Sequence, residues 1–230
     1  MRAELNPAWR DRLRLPAYRV GEAASYARIS AQTVAAWEKS YTPKRRSVLT
    51  VREAGQGLSF LQLIEIAVVA ELRRVGLSLE KIRTARAYFC QALNHQTPFA
   101  TQDFKTDGTD ILQEMKSADG KLITDKLVVA NASGQLAWTE FLGNQFQEFH
   151  YGDGIVVSWK VSGPQSELVI DPQVSFGAPS VRGIMTRAIK SEYAAGSNID
   201  EIAEDYDLPA KLVIEALKFE GLFLGDEVIH

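Results

Sequence analysis

The stretch VGEAASYARISAQTVAAWEK, residues 20–39, constrains the fold of this chain more than any other. Val20, Ala23, Ala24 and Ala27 recur at helical spacing and predict a short helix. Arg28 and Ile29 break the pattern. Ser30 then opens a second helix, because its hydroxyl can accept from a free amide of the next turn, with Val34 and Trp37 on the inner side. Two short helices joined by about three residues form a helix-turn-helix. Thr42 and Pro43 stop the second helix, the basic run Lys44, Arg45 and Arg46 follows, and the β-branched residues 47–51 suit one strand of a wing.

Downstream the periodicity is strong. Leu61, Ile64, Val68, Leu72 and Val75 mark a helix that Ser59 starts and Gly76 ends. Ser78 caps another, with Glu80 early, as the helix dipole favours, and Leu79, Ile82, Ala85, Tyr88 and Phe89 inward. Residues 95–170 change character. Asp107-Gly108, Asp119-Gly120, Ser133-Gly134 and Asp153-Gly154 are turn signals between the β-rich runs 121–130 and 155–161. Residues 103–106 and 168–170 suit further short strands, and residues 140–149 suit a helix. Beyond Asp171 and Pro172, three helices are predicted: residues 184–195 ended by Gly196, a short one capped by Asn198, and one begun by Leu208 and Pro209. In the last, Leu212, Ile214, Leu217 and Phe219 are available for packing.

The predicted class is therefore α+β, mainly α. An N-terminal winged helix-turn-helix spans 1–95, a small antiparallel β-containing α/β middle domain spans 96–168, and a C-terminal three-helix domain spans 169–230. An apolar content of 46% over 230 residues is enough for sizeable cores. No run approaches the roughly 18 apolar residues of a membrane span, and the charged N-terminus does not read as a secretory signal. The lone Cys90 suits a reducing, cytoplasmic setting and is expected in the core near Tyr88 and Phe89.

The formal charge of −3 conceals a gradient, from +6 over residues 1–60 to −7 over residues 166–230. A partner responds to the field within a Debye length of about 8–10 Å, so the acidic total does not exclude nucleic acid at the basic front. A reader helix enters the major groove by its N-terminal half, which brings Arg28, Gln32 and Thr33 near the duplex. Gln32 can pair with adenine, and Lys39, Lys44, Arg45 and Arg46 suit phosphates. The pattern alone fits a packing unit with a solvated basic loop equally well.

The segments YRVGEAASYARISAQTVAAWEKSY and LSFLQLIEIAVVAELRRVGLSLEKIRTAR resemble the MerR-type winged helix-turn-helix, over roughly residues 18–90. Trp37-Glu38 holds the place of that family's aromatic-Glu pair, whereas Ala35-Ala36 stands where a basic residue is usual. Residues 169–220, with Asp171-Pro172, Phe176-Gly177-Ala178-Pro179, Gly183 and the IAEDYDL segment, resemble the trihelical domain of antitoxins encoded beside PIN-like ribonuclease toxins. The two together resemble a group of VapB-like antitoxins. That resemblance implies a protein that sequesters a PIN-like ribonuclease toxin and represses its operon at operator double-stranded DNA; a homodimer or a hetero-oligomer with the toxin is expected, because one reader with few base contacts needs a second half-site. Two routes of inhibition stay open. Arg182, Arg187 or Lys190 can place a cation among the toxin's carboxylates, or the acidic cluster Asp200, Glu201, Glu204 and Asp205 can cover its RNA groove.

No catalytic, metal or cofactor set assembles from the sequence. His95, His150 and His230 are scattered, and one Cys makes no zinc site. The GDG at 152–154 is too short for a phosphate loop, and Asp103, Asp107 and Asp110 do not fit a calcium loop. The alternative is a stand-alone MerR-like regulator whose middle domain senses a ligand near Trp138, Phe141, Phe146 and Trp159. A third reading is a front that no longer binds DNA, given Ala35-Ala36.

Overall fold

The computed structural model describes residues 8–39, 47–53, 55–106 and 146–222. The architecture is mixed α/β and mainly helical, with nine α-helices and five strands among the described residues. The chain divides into two units, one drawn from Met1–Gln147 and Tyr151–Val156, the other from Glu148–His150 and Val157–His230.

The first unit holds α1 (Ala8–Arg12), α2 (Val20–Tyr26), α3 (Ala31–Glu38), α4 (Phe60–Arg74), α5 (Leu79–Ala92) and α6 (Gln102–Thr106), with a 3-10 turn at Pro98–Ala100. Local chemistry sets the boundaries. Ser30, Ser59 and Ser78 each accept from an amide of the following turn, and Gln62 returns a bond to the Ser59 amide. The C-terminus of α2 turns through Arg28 at φ +55°. Gly76, at φ +91°, follows α4 in the left-handed region that favours glycine.

Helix α4 is the axis of this unit. The sequence predicted one apolar stripe, yet residues 60–70 are buried all round, Gln62 and Glu65 included. A helix covered on every side must satisfy its polar side chains inside the protein. Val75 lies beyond the last helical turn and is half-buried.

Three local expectations change in this unit. Residues 103–106 are not a strand but part of α6. The Phe104 amide donates to Thr101 Oγ1 (3.3 Å), and its ring packs on Phe89 and Phe99, 5.1 and 4.9 Å between centroids. Residues 47–51 form no wing strand, because their backbone groups are drawn to side chains. Leu49 N–H donates to Ser47 Oγ (3.0 Å), and Thr50 N–H to Glu65 Oε2 (2.8 Å). Cys90 is half-buried rather than fully in the core.

Five strands form one sheet in chain order: β1 (Phe149–Gly152), β2 (Ile155–Lys160), β3 (Leu168–Ile170), β4 (Ser180–Val181) and β5 (Ile184–Met185). Pairs β2–β3, β3–β4 and β4–β5 are antiparallel, with Trp159 opposite Ile170 and Val181 opposite Ile184. Asp153 and Gly154 turn at φ +51° and +79°. Positive φ at both central residues is the backbone of a tight hairpin turn. Phe149 thus belongs to a strand, against the expected helix over 140–149, while residues 140–145 lie outside the described residues. So do the run 121–130 and the turns at 107–108, 119–120 and 133–134.

The second unit adds α7 (Thr186–Ala195), α8 (Ile199–Asp205) and α9 (Ala210–Phe219), which pack on one another, with α9 also against β3 and β4. Ile184 and Met185, predicted as helix, pair with β4 instead; Thr186 begins α7 with its amide bonded to the Pro179 carbonyl (2.9 Å). Ile189, Ile202, Leu212, Val213, Ala216 and Leu217 are buried, whereas Ile214 and Phe219 are half-buried. Gly196 (φ +110°) ends α7, its amide on the Tyr193 carbonyl and that of Ser197 on Glu192. Among the described residues, no helix is long and apolar enough to cross a membrane.

Candidate nucleic-acid and partner interfaces

Helix α3 presents its N-terminal half. Val34 and Trp37 are buried, which fixes the helix, and leaves Arg28, Ala31, Gln32, Ala36 and Lys39 exposed. Thr33 is half-buried, and its hydroxyl lies 2.8 Å from that of Ser30, so it serves the helix start as well as any ligand. Lys44, Arg45 and Arg46 lie outside the described residues. The C-terminal end of α3 is anchored from the segment after it. Ser47 Oγ donates to the Trp37 carbonyl (2.8 Å), and Arg52 pairs with Glu38 at 2.9 Å. From α4, Arg74 Nη2 donates to the Ala27 carbonyl (2.6 Å), tying the end of α2.

The first unit also holds a polar network that the sequence did not reveal. Glu65 is fully buried, and Arg86 Nε and Nη2 donate to its Oε1 at 3.2 Å. Arg86 Nη2 also donates to Thr50 Oγ1 (2.6 Å) and to the Gln96 carbonyl (2.7 Å). Burial pushes the Glu65 carboxyl above the usual carboxylate range, while Arg86 and the Thr50 bonds pull it down. A cavity of about 480 Å³ opens beside the network, lined in part by Thr50, Arg86, Cys90, His95 and Gln96. His95 Nδ1 accepts from the Thr97 amide (3.1 Å), and burial, helped by Arg14, holds its imidazole below its ordinary pKa.

In the second unit the predicted cations are spent differently. Arg182 Nε donates to Glu167 Oε2 at 2.8 Å, an exposed pair that raises the Arg182 pKa and lowers that of Glu167. Lys190 Nζ donates to the Glu220 carbonyl (3.0 Å) and lies 3.8 Å from its carboxylate. Arg187 is exposed. The four predicted carboxylates, Asp200, Glu201, Glu204 and Asp205, are all exposed. Two of them sit at the start of α8, where Asn198 Oδ1 accepts from the Asp200 and Glu201 amides (2.9 and 3.0 Å) and Glu201 accepts from the Asn198 amide (2.9 Å). Acid at that end suits the helix dipole. This accounts for part of the cluster structurally, and leaves Glu204 and Asp205 without such a local role.

Of the aromatics considered for a ligand site, Trp138 and Phe141 lie outside the described residues. Phe146 is buried in the first unit beside Phe104, 6.1 Å between centroids, and Trp159 in the second beside Phe149, 5.8 Å. Both act as packed core. Among the described residues, no group of three or more His, Cys, Asp or Glu is placed to hold a metal ion. One surface feature was missed. Phe176 is 90% exposed in a left-handed turn. The available signal was an aromatic next to glycine and proline in SFGAP, outside any apolar period.

Comparison with known proteins covers both units. Residues 168–219 match the family model described as a protein of unknown function, DUF433. The chain is 25% identical over 229 residues to a Mycobacterium tuberculosis protein provisionally named antitoxin VapB45, covering 90% of this chain and 94% of that one. The fold is similar to that of the crystal structure of Rv2018 from Mycobacterium tuberculosis, with a TM-score of 0.73 at 23% identity, over 90% of this chain and 99% of the other.

Proposed function

We propose that this protein is the antitoxin of a toxin–antitoxin pair: it binds and inhibits a PIN-domain ribonuclease toxin and represses its own operon by binding operator DNA. The observation that carries this reading is the similarity to a protein named as an antitoxin over 90% of the chain, which takes in both units rather than the DUF433 segment alone. In the proposal the chain catalyses nothing, acts in the cytoplasm, and works as a homodimer or as a hetero-oligomer with the toxin.

The two halves are suited to different tasks. The first unit acts as a MerR-like helix-turn-helix, and its support is the capped α3 with Arg28, Gln32 and Lys39 exposed. Such a helix places few base contacts, so specificity calls for a second half-site and hence a dimer on DNA. The second unit acts as a three-helix toxin-binding domain. Its carboxylates repel phosphates, which directs it toward protein rather than nucleic acid. Arg187 is better placed than Lys190 to reach a partner's carboxylates, because Lys190 is already bonded to Glu220.

The test is co-expression with the product of the adjacent gene, followed by purification through a tag on one chain only. The same preparation is then titrated onto DNA from upstream of its own gene. A stable complex that binds this DNA supports both roles. Failure to retain the adjacent product rejects the antitoxin role, and DNA affinity equal on upstream and unrelated sequence rejects the repressor role.

A further inference from the structure

Ser175, Phe176 and Gly177 are three successive residues in the left-handed region, at φ +49°, +54° and +80°. Glycine accepts this conformation readily, but for serine and phenylalanine it is strained and persists only where the surroundings enforce it. Here the enforcement is visible. Asp171 Oδ1 accepts from the Gln173 amide (2.7 Å), and the Asp171 carbonyl accepts from the Val174 amide (2.9 Å). The Gly177 amide donates to the Val174 carbonyl (2.9 Å), that of Ala178 to Ser175 (3.0 Å), and Ser175 Oγ to the Gly183 carbonyl (3.0 Å). Pro172, Gly177 and Pro179 are partly or fully buried and seat the turn. The outcome is a phenylalanine held out with 90% of its surface exposed, beside Val174, itself 36% exposed.

A large apolar side chain held in solvent by a strained, hydrogen-bonded turn gains little for folding. Its desolvation is available to a partner, and the rigid turn lowers the ordering cost of binding. The field around it selects that partner. Ser175 is bonded to Gly183, next to Arg182, and Arg182 feels the charge of Asp207, just beyond α8. Residues 166–230 carry a formal charge of −7. That charge repels nucleic acid and anionic membranes and attracts a basic surface, the footprint of a protein that handles RNA.

We propose that Phe176, with Val174, is a preformed anchor that inserts into an apolar socket set in the basic surface of the toxin. This rests on the antitoxin reading above. The socket buries the Phe176 ring, while Glu204, Asp205 and Asp207 face the toxin's cations and steer its approach. Neighbouring residues need contribute little affinity, since a few central aromatic side chains commonly carry most of it.

The test compares the full-length wild type with Phe176→Asn and Phe176→Leu. Asparagine tolerates the left-handed region and so keeps the turn, whereas leucine keeps an apolar side chain. Affinity for the adjacent-gene product is measured by calorimetry, self-association by sedimentation, and stability by thermal unfolding. Phe176→Asn should keep its midpoint within about 3 °C of wild type and weaken binding by about 30-fold or more. Phe176→Leu should retain most of the affinity. Equal affinity of wild type and Phe176→Asn overturns the anchor while leaving the antitoxin reading intact. A large fall in midpoint shows a structural residue and also overturns it. If Phe176→Asn dissolves a dimer of the chain alone, the occupant is a second copy and the toxin assignment is wrong. If the wild type itself does not bind, the antitoxin reading fails and the anchor with it.

Discussion

Arg86 directs its Nε and Nη2 to one carboxylate oxygen of the fully buried Glu65, while the Thr50 amide takes the other. The pair joins α4 to α5 and to the segment that follows the candidate reader helix. Removing one partner leaves a charge in a site built for two. Arg86→Ala should therefore lower stability by about 3–5 kcal/mol. Glu65→Met combined with Arg86→Met should cost much less than the two single changes summed, because no uncompensated charge remains. Denaturant unfolding of the four proteins in a double-mutant cycle checks this.

The same carboxylate gives a pH dependence with a defined sign. Burial raises the Glu65 pKa above its ordinary 4.5 in the folded protein. Between the ordinary and the raised value, the folded chain holds a proton that the unfolded chain has released. The stability linked to this group is full below that interval and falls as pH rises through it. Glu65→Gln removes the contribution. Its thermal midpoint should decline less than the wild type's as pH rises above the ordinary carboxylate value of 4.5, measured by calorimetry in matched buffers.

Gln32 and Lys39 differ in what they should do on operator DNA. Gln32→Ala should weaken operator binding by about 1–3 kcal/mol and relax the preference at one base pair. Lys39→Ala should weaken binding to all sequences alike and reduce the slope of log K against log salt by about 0.9 for each phosphate that is no longer neutralised. Fluorescence anisotropy at several salt concentrations separates the two.

At the start of α8, fold and interface can be pulled apart. Asn198→Ala removes the acceptor for the Asp200 and Glu201 amides and should cost about 1 kcal/mol. Glu201→Gln keeps the reciprocal bond to the Asn198 amide, since glutamine serves that position too. It should leave thermal stability nearly unchanged while slowing toxin association at low salt, which stopped-flow mixing measures.

The helix boundaries were legible because each depends on a few adjacent residues. Ser30, Ser59, Ser78 and Asn198 all cap the helices that the local pattern assigned to them, and Gly196 ends α7. The β-branched run 47–51 was misread because Glu65, distant in sequence, captures the Thr50 amide. Residues 103–106 were misread because four residues show no clear period, and the packing of Phe104 on Phe89 and Phe99 decided for helix. Of the candidate site, the exposure of Gln32 and Lys39 followed from the burial of Val34 and Trp37. The exposure of Phe176 did not, since it depends on bonds to Gly183 and on three left-handed residues in a row.

Antitoxin activity is tested by titrating the adjacent gene product's ribonuclease activity with this protein. Activity should fall linearly to zero at a fixed molar ratio, as tight stoichiometric inhibition requires. Undiminished cleavage at excess protein, or an adjacent product without nuclease activity, would contradict the antitoxin role.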